Sequence, residues 1–124
     1  MAREPLGSRM RSFGVVLHGQ LTEKQWKEFL CAVCDAIGMY PVGEPKVWTY
    51  PLEGKGGTGQ TIMLPITESF LVVDTWSDHD GAYLFVCSCR EFAMGAIYDQ
   101  AEAFGIKPST EDDGAFFHQL RLTQ

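Results

Sequence analysis

No stretch of this 124-residue chain holds the roughly 20 consecutive apolar residues that a helical membrane span requires. Positive charge is scarce as well. Ten Lys and Arg stand against sixteen Asp and Glu, giving a net charge of −6 and a pI near 4.9. That balance opposes broad attraction to phosphate backbones, so the sequence argues against a nucleic-acid partner and tolerates a cationic small molecule. The segment Met1 to Arg11 carries three arginines but no apolar core of a secretory leader. It reads as a flexible N-terminal arm. Four cysteines without such a leader point to reduced thiols and a cytoplasmic setting, not to a disulfide framework.

What is present suits one globular domain over residues 12–124, with 45% hydrophobic and 12% aromatic residues. Ser12 to Gly19 alternates Phe13, Val15 and Leu17 with Val16 and His18, a first strand. Thr22 and Gln25 form a capping box before the helical stripe Trp26, Phe29, Leu30, Val33 and Ile37, and Gly38 ends that helix. Lys46 to Tyr50 alternates as a strand. The glycine-rich GKGGTG at 54–59 reads as a hairpin loop, because its Lys and Thr stand in the wrong order for a phosphate loop and no helix follows. Thr61 to Trp76 reads as one strand with Pro65 at an edge or bulge, and Ala82 to Cys89 as the next, joined by a turn at Asp80-Gly81. Phe92, Ala96, Ile97, Ala101 and Phe104 mark a second helix, closed by Gly105 and Pro108. A turn at 111–114 leads to a last strand, Ala115 to Leu122. The order β-α-β-β-β-α-β predicts an α+β two-layer sandwich, a mostly antiparallel sheet with both helices on one face.

Several residues could carry chemistry. Cys31-x-x-Cys34 and Cys87-x-Cys89 offer four thiols. The first pair sits mid-helix, where two sulfurs do not converge on zinc as they do in a knuckle and no helix N-terminus lowers a thiol pKa. Cys34 falls on the apolar stripe as a small hydrophobe. No metal site is therefore assigned. His118 reads as a hydrogen-bonded core residue. Asp78, His79 and Asp80 crowd a turn that needs Asp and Gly in any case. Cys89 ends a strand just before a helix, a setting that favours thiolate. Glu68 and Ser69 form a polar pair inside an apolar run, where packing alone would favour valine.

The stretch Thr61 to Cys89 resembles the core of the small prokaryotic S-adenosylmethionine decarboxylases. That family has a serine upstream of E-S-H-x-x-x-H-T-W-P-E and then a strand ending in cysteine. The matching residues are Thr61, Glu68-Ser69, Asp74-Thr75-Trp76-Ser77-Asp78 and Cys89, and the likeness in element order extends from Ser12 onward. Phe70 and Asp74 stand where the family has histidine.

The resemblance implies self-cleavage between Glu68 and Ser69, converting Ser69 into a pyruvoyl group that condenses with a substrate amine and serves as electron sink for decarboxylation. It places Thr61 and Asp74 as helpers in processing, Cys89 as proton donor and Asp78 as the carboxylate that holds the substrate ribose. The substrate implied is S-adenosylmethionine or a related cationic amino acid, the pathway polyamine synthesis, and the assembly a homo-oligomer. An unperturbed aspartate, with a pKa near 3.9, is a poor acid at neutral pH. A second reading therefore stands beside the first, in which the chain is not cleaved and acts as a small-molecule-binding or assembly module.

Overall fold

Alternation of apolar and small or polar residues along Arg9–His18 turns Phe13, Val15 and Leu17 to one side of strand β1, where all three are buried. The computed structural model describes residues 9–54, 56–67, 69–109 and 115–121. After β1 the chain forms α1 (Glu23–Ala36), β2 (Lys46–Pro51), β3 (Thr58–Ile66), β4 (Ser69–Trp76) and β5 (Gly81–Ser88). It ends in α2 (Met94–Ala103), β6 (Lys107–Pro108) and β7 (Ala115–Arg121). One antiparallel sheet takes the order β2-β3-β4-β5-β1-β6, and β7 also pairs with β1. The inward residues of the sheet share one core with Trp26, Phe29, Leu30 and Val33 of α1 and with Ile97 and Ala101 of α2. Both helices therefore lie on the same face, the α+β two-layer arrangement the pattern predicts.

The punctuation of α1 is as read. Thr22 Oγ1 accepts from the Gln25 amide while the Gln25 side chain accepts from the Thr22 amide, and Gly38 leaves the helix at φ 74°. The glycine-rich segment closes the β2–β3 hairpin, with Gly54, Gly56 and Gly57 at positive φ.

Other expectations need correction. Thr61 to Trp76 is not one strand but the two arms of a hairpin, with Ile66 paired to Ser69 and Thr61 paired to Asp74. Pro65 sits in β3 opposite Phe70, and no glycine or asparagine marks this reversal, so the apolar pattern runs on through it. β1 begins at Arg9, so the last three residues of the expected arm belong to the sheet. The two-residue β6 went unread because two residues carry no periodicity. His118 is exposed on β7, beside the Phe116 ring at 5.4 Å, because among the described residues no element covers the outward face there. The predicted turn at 111–114 lies outside the described residues, as does Leu122.

Candidate functional site

A strand turns alternate residues to opposite faces, so the hairpin decides which candidates meet. Ile66 is buried on the helix side, and its partner Ser69 turns the same way, in register with Ser88 of β5. Ser69 Oγ is buried without a hydrogen-bond partner, one of two such side-chain atoms among the described residues, the other being Trp26 Nε1. Ser88 is fully buried; its hydroxyl donates to Met39 Sδ at 3.6 Å and accepts from the Arg90 amide at 2.9 Å. Cys89, half-buried, follows directly, so Ser69 and Cys89 come to the same end of the sheet. Glu68 lies outside the described residues.

Thr61 and Asp74 meet on the opposite face. Thr61 Oγ1 donates to Asp74 Oδ1 at 2.6 Å, a short bond of the kind a carboxylate accepts. The sheet stands between this pair and the Ser69 hydroxyl.

Asp78 stands at the other end of β4. Ser69 and Trp76 bound an eight-residue strand, about 23 Å long at the usual rise, so one small ligand does not touch both Ser69 and Asp78 of the same chain. Asp78 Oδ1 lies 2.8 Å from His79 Nδ1 in the β4–β5 turn. Gln20 fastens that turn by donating to the carbonyls of His79 and Trp76. Ser77 ties it to β3, its hydroxyl accepting from the Thr58 amide at 2.9 Å. Beside it opens a cleft of about 410 Å³ lined by Leu52, Glu53, Trp76, Asp78, His79 and Tyr83, within the size range of small-molecule sites. Trp76 and Tyr83 meet edge to face at 5.4 Å, so aromatic walls and carboxylates share this cleft. An acid-lined aromatic cleft suits a cationic ligand.

Two participants escaped the sequence reading. Tyr83 carried a signal, since it faces Asp74 across β4 and β5 once the hairpin register is known. Arg11 carried none inside an expected arm. It is only 8% exposed, donates to the Cys89 carbonyl at 3.2 Å and pairs with Glu91 at 3.4 Å, pinning the segment that holds Cys89.

The remaining thiols do not gather. Cys31 is exposed and Cys34 buried. Burial pushes both thiols above their ordinary pKa, with the nearby Cys31 and Asp35 adding to the shift of Cys34. Among the described residues no three His, Cys, Asp or Glu side chains are grouped to hold a metal ion. No helix among them is long and apolar enough to cross a membrane.

No protein-family model matches the chain, and no curated protein matches it.

Proposed function

We propose that this chain is an S-adenosylmethionine decarboxylase-like protein that removes carbon dioxide from a cationic amino acid at the Ser69–Cys89 end of its sheet, once the bond before Ser69 has been cleaved. The observation that carries this reading is the Ser69 hydroxyl. A buried hydroxyl without a partner costs about 1–3 kcal/mol, and Ser69 bears that cost at the first residue of β4. Its Oγ is the group that would attack the preceding carbonyl. A pyruvoyl group at this position would supply the electron sink for decarboxylation. Cys89 would return a proton to the carbon that loses carbon dioxide, with Arg11 holding its backbone in place. Intact mass under denaturing conditions tests this. Two fragments divided before residue 69 are expected, and a single 13.8 kDa species that does not react with hydroxylamine overturns it.

A specific observation favours the second reading. Asp74, standing where the family has its processing histidine, is bonded to Thr61 on the far face from the Ser69 hydroxyl. An uncleaved chain would still offer the Trp76–Tyr83 cleft, where Asp78 and Glu53 suit a cationic nucleoside or amine. Titration calorimetry of the intact chain with S-adenosylmethionine should then give binding that Asp78→Asn weakens about tenfold, the loss of one charge-assisted contact. Heat identical for both proteins removes the cleft from consideration.

A further inference from the structure

We infer that Ser88 is the residue that positions the Ser69 hydroxyl for cleavage of the chain. The inference rests on the reading in which Ser69 is processed. Asp74 is bonded to Thr61 on the far face of the sheet, so the hydroxyl must find its partner elsewhere. Ser69 opens β4 and Ser88 closes β5, and the two are paired directly in register on the helix side. Around Ser69 on that side stand Ile66, across the β3–β4 hairpin, and Leu71, two residues on, both buried and both apolar. Arg11, next to Ser88 along the same row, spends its guanidinium on the Cys89 carbonyl and on Glu91. Ser88 is therefore the polar side chain that the register sets beside Ser69. Opposite residues of an antiparallel pair hold their Cβ atoms about 4.5–5.5 Å apart, near enough for two hydroxyls to bond.

The two hydroxyls are complementary in what each has left. A serine hydroxyl donates one hydrogen and accepts through two lone pairs. Ser88, fully buried, accepts from the Arg90 amide at 2.9 Å and donates to Met39 Sδ at 3.6 Å, a weak acceptor. Among the described residues these bonds leave one lone pair of Ser88 unused, while the buried Ser69 Oγ carries a hydrogen with no acceptor. A turn about χ1 of Ser69 joins them. That bond takes up the Ser69 hydrogen and leaves the lone pairs of Oγ for the preceding carbonyl. The shift that follows forms the bond from Oγ to the carbonyl carbon of residue 68, breaks the bond from that carbon to the Ser69 nitrogen, and delivers the hydroxyl proton to that nitrogen. Ser88 is unchanged by the exchange. It orients the nucleophile, and the Arg90 amide holds Ser88 itself in place.

Cell-free synthesis of the full chain, sampled over time by denaturing mass spectrometry, reads the rate of cleavage before Ser69. Ser88→Ala should slow it by about a hundredfold, the scale set by a misplaced reacting atom. Ser88→Thr keeps the hydroxyl and should cleave at close to the unaltered rate. Ser88→Cys nearly keeps the volume but accepts weakly, so it should be as slow as Ser88→Ala. Urea midpoints measured with Ser69→Ala in place, where no chain is cut, separate lost positioning from a lost fold. Hydroxylamine, which cuts esters, should release no fragment from Ser88→Ala, because the block precedes the ester. Release of fragments from that variant overturns the inference. So does a folded Ser88→Ala or Ser88→Cys chain cleaved as fast as the unaltered one, or a folded Ser88→Thr as slow as Ser88→Ala. An unaltered chain that stays whole overturns the processing reading along with this one, whereas equal rates overturn the positioning alone.

Discussion

The Thr61–Asp74 bond ties the two arms of the β3–β4 hairpin through side chains as well as backbone. Thr61→Val keeps the shape and removes the donor, so it should destabilise the fold by about 1.5–3 kcal/mol, as for other hydrogen bonds to charged groups. The midpoint of urea unfolding reads this, and an unchanged midpoint would mean that water replaces the hydroxyl without loss. At Gly81 the constraint is backbone, since an added Cβ would stand 2.6 Å from the Leu17 carbonyl oxygen. Gly81→Ala should therefore cost about 1–3 kcal/mol by overpacking, measured in the same way. Residue identities were legible in the sequence, but their faces were not. Read as one continuous strand, Thr61 and Ser69 share a face; the hairpin reverses this and gives Thr61 to Asp74 instead.

Helix α1 is the element the sequence described most fully, because cap, stripe and terminator agree. Thr22→Ala should cost about 0.5–2 kcal/mol through the lost cap, and Leu30→Ala, at a fully buried position, about 2–5 kcal/mol. Thermal unfolding followed at 222 nm should rank them in that order. The thiols of α1 give a pH dependence. Below the ordinary thiol pKa both folded and unfolded chains hold their protons, and stability is undiminished. Above it the unfolded chain ionises first, so stability falls with rising pH until the folded thiols ionise as well. Urea midpoints between about pH 8 and pH 10 should decline less steeply for Cys34→Ala than for the unaltered chain. The β3–β4 hairpin was the element hardest to read, since Thr67 and its neighbours supply none of the Gly or Asn that mark tight turns and β-propensity stays high on both sides.

At the scale of the whole molecule the layering was readable, because hydrophobic period distinguishes helix from strand and short connections favour antiparallel neighbours. The position of β1 was not, since nothing local tells a strand how many partners it will take. β1 lies inside the sheet, with β5 on one side and both β6 and β7 on the other. Arg9 is registered with Arg121, a pairing between positions 112 residues apart. Such long-range closure carries a large loop entropy and belongs to topologies that fold in milliseconds to seconds. On the ribosome, at about 5–20 residues per second, β1 would wait for several seconds with one edge unpaired before β7 is made. Over that interval the open edge of β1 is a template on which another chain can pair.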